Sequence, residues 1–154
     1  GMFMINSHVA HDCVVGNNVI MTNNAVIGGH VRLGDGVIIG GNAAVHQFCR
    51  IGRKAMIGGL SGVDRDVIPF GIVTGDRGKL RGLNVIGLKR SGYDEGVVKS
   101  ITKAFMFIFK GKEGTFEDRL AQAHEKFKDN EMVMEQVKFI DEALQGRRKI
   151  MVAE

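Results

Sequence analysis

The chain has 154 residues, a formal net charge of +4, 44% hydrophobic and 25% charged residues, the balance of one globular domain or one domain with a small appendage. Gly 22 beside Pro 1 excludes both collagen and a disordered linker. No apolar run approaches the roughly 18 residues a membrane span needs, and no basic-then-apolar leader opens the chain, so a cytoplasmic protein without membrane insertion is expected.

In the first half, every sixth residue from Val9 to Val63 is aliphatic: Val9, Val15, Met21, Ile27, Leu33, Ile39, Val45, Ile51, Ile57, Val63. At background frequencies such a run arises by chance about once in 10⁵. The position four further on (Cys13, Val19, Ala25, Val31 and onward) is small or β-branched, and glycine often follows the aliphatic residue directly. A period of six is neither helical nor that of an isolated strand. It is the hexapeptide signature of a parallel β-helix, in which three successive units close one triangular coil. The aliphatic and small positions fill a narrow interior, and the glycines relieve backbone strain at the corners. Coils are expected over 9–26, 27–44 and 45–62, with a partial coil before them and a last unit at 63–68. Pro69, which cannot donate to a ladder, marks where the repeat stops. The apolar opening Met2 to Ile5 lacks a cap. Either another chain covers that edge, or the sequence is the C-terminal portion of something longer.

Cys13 and Cys49 lie two coils apart, about 9.6 Å at the inter-strand spacing, too far for a disulfide. They are expected to be reduced and buried.

The division that follows is parallel β-helix coils over 1–68, an irregular connecting segment over 69–93, and a helical domain over 94–154. Within the last, Val97, Val98, Ile101, Ala104, Phe105 and Ile108 form one helical face ended by Gly111. Thr115 with Asp118 resembles a capping box, opening a helix with Leu120, Ala123 and Phe127 inward. Asn130 caps a third, stopped by Gly146. Through Asp76 there are five basic and five acidic residues, so the whole positive surplus lies beyond it, where it could steer an acidic partner. Basic residues there are dispersed without interleaved aromatics, which argues against nucleic acid.

Stacking at intervals of one full coil (i with i+18) places His11, Gly29 and Gln47 in one column, and Asp12 and His30 in the next. Three readings of this stripe compete. His11 can act as a general base on a substrate hydroxyl, with Asp12 fixing its tautomer and the Gly29 amide facing an oxyanion. His8, His11 and His30 can bind zinc. Or the histidines simply decorate a repeat scaffold.

The strings HVAHDCVVG, NNAVIGGHV, VHQFCRIG, GGLSGVDRDVIPF and GLNVIGLKR resemble the acyl-[acyl carrier protein]–UDP-N-acetylglucosamine O-acyltransferase family, from about His8 to Arg90 and on through the helical tail. The resemblance implies a left-handed parallel β-helix with a small C-terminal helical domain, assembled as a homotrimer with active sites between subunits. It implies transfer of an R-3-hydroxyacyl group from acyl carrier protein to the 3-hydroxyl of UDP-N-acetylglucosamine, the first step of lipid A biosynthesis, with no metal or organic cofactor. His11 then matches the general base, Asp12 its orienting carboxylate and Gly29 the oxyanion donor. His8, His30, His46 and Gln47 match substrate-contacting residues, Asn84 and Arg90 hold the nucleotide, and Met56 and Gly59 border the acyl chain. The basic tail resembles a face for the acidic carrier protein. Ile86 and Ser91 depart from the family's acidic and basic residues at those positions, and the family's N-terminal coils are missing. Two alternatives stand beside this: another hexapeptide acyltransferase, such as the UDP-3-O-acylglucosamine N-acyltransferase, or a non-catalytic trimeric remnant that binds nucleotide sugar or carrier protein.

Overall fold

The computed structural model of the protein describes residues 1–153. Short strands of two residues recur every six residues from Met2 to Val63 and stack into three parallel sheets. The first contains β1 (Met2–Phe3), β4 (Ile20–Met21), β7 (Ile38–Ile39) and β10 (Met56–Ile57). The second contains β2 (His8–Val9), β5 (Val26–Ile27), β8 (Ala44–Val45) and β11 (Gly62–Val63). The third contains β3 (Val14–Val15), β6 (Arg32–Leu33) and β9 (Arg50–Ile51). The register is the expected one: His8 lies on Val26, Val26 on Ala44, and Ala44 on Gly62. The solenoid is a left-handed parallel β-helix.

From Val19 to Val63 both inward sets are where the period puts them, while Val9 in the first coil is exposed. Met21, Ile27, Ile39, Ile51 and Ile57, with Val19, Ala25, Val37 and Ala43 between them, are almost wholly buried. Each large aliphatic side chain removed from water contributes about 1.5–3 kcal/mol. Cys49 is buried and Cys13 only half-buried, and both are free thiols. Burial, helped by the charge of Asp66, pushes the Cys49 thiol up to about 12.

The glycines do a different job from the one expected of them. The left-handed corners, with φ near +60°, fall on Asn6, Asp12, Asn18, Asn24, His30, Asn42, Phe48, Lys54 and Leu60, with Gly36 the glycine among them. Asn, Asp and His tolerate this region best. The glycines after the aliphatic positions instead allow coils to approach. A Cβ on Gly28 would lie 2.7 Å from the backbone N of Gln47, and one on Gly34 would lie 2.7 Å from that of Arg53. Backbone cannot yield as a side chain can. Gly34→Ala is therefore expected to cost about 1–3 kcal/mol, read as a lowered denaturant midpoint at unchanged m-value.

The repeat also runs past Pro69, contrary to the sequence reading. Val67 bridges to Ile51, and Met56 pairs with Ile72 in β12 (Gly71–Thr74). Met56 thus follows Ile38, its partner one coil earlier, by 18 residues, but precedes Ile72, its partner one coil later, by 16. The last coil is two residues shorter than the others, and the shortening falls at the Asp64–Asp66 corner. Val67 occupies an aliphatic slot, not the small one its spacing suggested. Pro69 fits because the neighbouring amide, that of Phe70, carries the ladder bond to the Arg53 carbonyl. The segment read as irregular is in fact a hairpin, β12 with antiparallel β13 (Lys79–Leu83), followed by the short helix α1 (Val85–Arg90). A register shift between Ile72 and Val73, and Gly82 at φ +147°, break the alternation that would have announced it.

Asp66, buried at the shortened corner, joins solenoid to C-terminus. It accepts from the Arg50 amide and Nε at 2.9 and 2.8 Å, and from Arg148 Nε at 2.7 Å. Its backbone pairs with Lys149 and Met151. Burial pushes its carboxyl up, but the hydrogen bonds from Arg148 and Arg50 prevail and hold it below the ordinary carboxylate range. A depressed folded pKa means stabilisation that is full above the unfolded value and lost as pH falls through the folded one. Asp66→Ala leaves two guanidinium groups facing a void and is expected to cost about 3–5 kcal/mol. Thermal or urea unfolding at pH 7 checks it, and the deficit relative to the parent should shrink well below pH 4.

Three longer helices complete the fold: α2 (Glu95–Lys110), α3 (Phe116–Lys126) and α4 (Glu131–Gln145). Thr115, in a capping box with Asp118, and Asn130 cap α3 and α4 as expected, and Asp94 caps α2. α4 lies against the third sheet. Arg50 stacks on Phe139, Arg53 pairs with Glu135 at 2.8 Å, and buried Gln136 donates to the Pro69 carbonyl. Among the described residues, no helix is long and apolar enough to cross a membrane.

Candidate active site

The solenoid has three edges, and the histidines gather on the one between the second and third sheets. His11 and Asp12 turn the first coil there. The His30 amide donates to the His11 carbonyl at 3.0 Å, and the Phe48 amide to that of Gly29 at 2.9 Å. Gly29 therefore lies directly over His11, and His30 and Phe48 directly over Asp12. A Cβ on Gly29 would lie 2.7 Å from both Cε1 and Nε2 of His11. Only the bare Cα lets the imidazole rest against this backbone.

His11 Nδ1 lies 2.9 Å from Asp12 Oδ2, and His30 Nε2 lies 3.8 Å from the same oxygen. The two imidazoles meet edge to face at 5.1 Å, and Phe48 stacks on His30 at 4.9 Å. The hydrogen bond from His11, then the nearby His30, hold the Asp12 carboxyl below its ordinary value. An ionised Asp12 accepts from Nδ1–H of His11, which leaves Nε2 as the basic nitrogen. That nitrogen is the one facing Gly29. The ring is 73% exposed, so a substrate reaches it directly.

His46 and Gln47 are exposed on the same edge two coils above, with His46 Nδ1 3.2 Å from the Gln47 carbonyl. His8 is exposed on β2, the strand that enters the edge. Within one chain His8 stands apart from the corner group of potential metal ligands, which comprises His11, Asp12 and His30.

The remaining site residues stand elsewhere on the prism. Asn84 is buried as the N-cap of α1. Its Oδ1 accepts from Gly87 and its Nδ2 donates to the Lys54 carbonyl, at the edge between the third and first sheets. Arg90 is exposed in the last turn of the same helix. Met56 lies on the first sheet, and a Cβ on Gly59 would meet nothing closer than the Gly41 carbonyl at 3.3 Å. The chain therefore brings His11, Asp12, Gly29, His30, His46 and Gln47 to one edge, and carries Asn84, Arg90, Met56 and Gly59 on its other edges and faces.

Phe48 went unnoticed in the sequence, although the column of Asp12 and His30 contains it. Arg148, the partner of Asp66, also donates to the Phe48 carbonyl, so the C-terminal segment braces the corner.

Fold and corner define a protein of the hexapeptide-repeat, left-handed β-helix class with a helical C-terminal domain. The model of the family described as UDP N-acetylglucosamine O-acyltransferase, domain 2, matches residues 66–151. Acyl-[acyl-carrier-protein]–UDP-N-acetylglucosamine O-acyltransferase of Caulobacter vibrioides is 52% identical over 140 residues, 91% of this chain and 53% of that protein. The enzyme of the same name from Rhizobium etli is 48% identical over 139 residues, 90% of this chain and 51% of that protein. The crystal structure of Arabidopsis UDP-N-acetylglucosamine acyltransferase superposes with a TM-score of 0.90 at 36% identity, over 95% of this chain and 52% of that one. The chain belongs to the UDP-N-acetylglucosamine O-acyltransferase family. It spans about half the length of the curated relatives it matches.

Proposed function

We propose that the chain transfers an R-3-hydroxyacyl group from acyl carrier protein to the 3-hydroxyl of UDP-N-acetylglucosamine in the cytoplasm, the opening step of lipid A biosynthesis. The observation that carries this is the His11 imidazole, tied through Nδ1 to Asp12 with Nε2 free against Gly29. Nε2 takes the proton of the sugar hydroxyl as its oxygen attacks the thioester carbonyl. The Gly29 amide steadies the tetrahedral oxyanion. Collapse expels the carrier-protein thiolate, which recovers the proton from His11. No metal or organic cofactor enters these steps.

The scattering of the other site residues supports a homotrimer. A sugar nucleotide held at once by His11 and by Asn84 or Arg90 needs the edge of one copy to meet a different edge of the next. Three such contacts close a ring. In that ring His8, His30, His46 and Gln47 line the sugar. Asn84 and Arg90 face the nucleotide, and Met56 and Gly59 flank the acyl chain, the glycine leaving room for it. The basic surface beyond Asp76 receives the acidic carrier protein.

Incubated with 3-hydroxyacyl carrier protein and either UDP-N-acetylglucosamine or its 3-amino analogue, the chain is expected to acylate the hydroxyl acceptor, read by mass spectrometry. Preference for the amine replaces the 3-hydroxyl by a 3-amino group as the acceptor, whereas acylation of UDP-3-O-acylglucosamine instead of either sugar assigns the chain to the N-acyltransferases. Calorimetric binding of UDP-N-acetylglucosamine without product makes it a binding protein and overturns the catalytic reading.

A further inference from the structure

Three metal-ligating side chains meet at one corner, and the fold fixes where each begins. His11 and Asp12 are consecutive in a tight turn, and His30 stacks on Asp12 through the ladder bond from its own amide to the His11 carbonyl. Asp12 and His30 share the same left-handed backbone, φ 58° and 59°. Phe48, stacked on the His30 ring at an interplanar angle of 10°, limits its rotation. One nitrogen from each imidazole and one Asp12 oxygen all lie within 4.8 Å of one another.

Those separations suit a particular kind of ion. Tetrahedral zinc holds nitrogen and oxygen at about 2.0–2.2 Å, which sets neighbouring donors about 3.4 Å apart. The His11–Asp12 and His30–Asp12 pairs, at 2.9 and 3.8 Å, stand on either side of that value. Small side-chain rotations on a fixed backbone close the set. Two imidazoles and one carboxylate are a borderline donor set that favours zinc, cobalt or copper over magnesium or calcium. The corner is exposed, so the fourth position is open to water.

We propose that His11, Asp12 and His30 form a three-ligand site for a divalent transition cation, zinc above all, whose occupation blocks the corner. The blocking role rests on the proposed function, because the ion engages the imidazole and carboxylate that acyl transfer requires. The site itself does not. An ion held between Asp12 and Nδ1 takes the place of the Nδ1 hydrogen, so the neutral ring carries its hydrogen on Nε2 and no longer offers a basic nitrogen beside Gly29. Zinc is thus an inhibitor at this corner and not a cofactor.

The test is calorimetric titration of zinc chloride into the purified, chelator-treated chain. One zinc per chain is expected. Asp12→Asn and His30→Asn keep residue types that accept positive φ, so both fold. Each should weaken binding by at least the roughly 10- to 100-fold that even an outer partner of a metal ligand costs. His124→Gln, which removes the His124–Asp141 pair at 2.7 Å on the helical domain, should leave binding unchanged. Absence of stoichiometric binding, parental affinity in the two corner variants, or a loss confined to His124→Gln overturns the site. In the transfer assay, zinc should inhibit over the same concentration range, and a chelator should restore turnover. A chain that binds zinc at this corner yet transfers nothing upholds the site and overturns the functional reading instead.

Discussion

His11→Ala is expected to reduce acyl transfer by about 10²- to 10⁴-fold, the range a positioned general base supplies. The substitution removes the one nitrogen that Asp12 leaves basic, at a position 73% exposed, so no packing is lost. The melting temperature should stay within a degree or two of the parent, and carrier-protein binding should be untouched. A variant that folds normally and retains more than a tenth of the parent rate would remove His11 from the proton transfer. Asp12→Asn belongs to the same experiment. An amide can donate to Nδ1 and so favour the opposite tautomer, which places a hydrogen on Nε2. Turnover should fall with little change in the apparent affinity for the sugar nucleotide.

Gly29→Ala is the second large effect, and it distinguishes position from chemistry. The new methyl would lie 2.7 Å from Cε1 and Nε2 of His11. Those atoms are the far end of an exposed side chain, so the ring swings away and the coil survives. Every catalytic group is still present, but the imidazole is displaced by about an ångström or more, and a misplacement of that size can cost about 100-fold. Transfer should fall by that order while thermal stability changes little. Gly34→Ala supplies the contrast, because there the obstacle is the Arg53 backbone, and stability falls instead. Equal stability losses in the two variants would show that Gly29 serves coil packing like its counterpart.

The period of six made most of this fold legible. Once three units are known to close a coil, the column arithmetic places Gly29 over His11 and His30 over Asp12 without coordinates. What it does not reveal is departure from the period. Deletion of two residues at the Asp64–Asp66 corner changes the slot of every later residue, and Val67 is aliphatic enough to suit either slot. The hairpin of β12 and β13 was hidden by glycines at 71, 75, 78 and 82, which erase a strand's alternation. The roles of the glycines were misassigned because positive φ is usually glycine's province. Here Asn, Asp, His, and even Phe48 and Leu60, carry it, held there by the ladder bonds on either side. Phe48 escaped notice because an aromatic at a repeat corner resembles core. Its column mates show that it packs on a site histidine.

The separation of Asn84 and Arg90 from His11 has a physical origin as well. Asn84 is held by the cap of α1 and the Lys54 carbonyl, which fixes the helix to an edge the histidines do not share. The proposal that one sugar nucleotide touches both sets therefore carries with it the proposal that copies of the chain pack edge to edge.

The most direct measurement is the nitrogen NMR spectrum of histidine-labelled protein at neutral pH, with the His11 signals identified by their loss in His11→Gln. The neutral ring is expected to carry its hydrogen on Nδ1, bound to Asp12, and to show an unprotonated Nε2 facing Gly29. A ring that carries its hydrogen on Nε2 would contradict the account, because no base would then stand where the sugar hydroxyl must lose its proton.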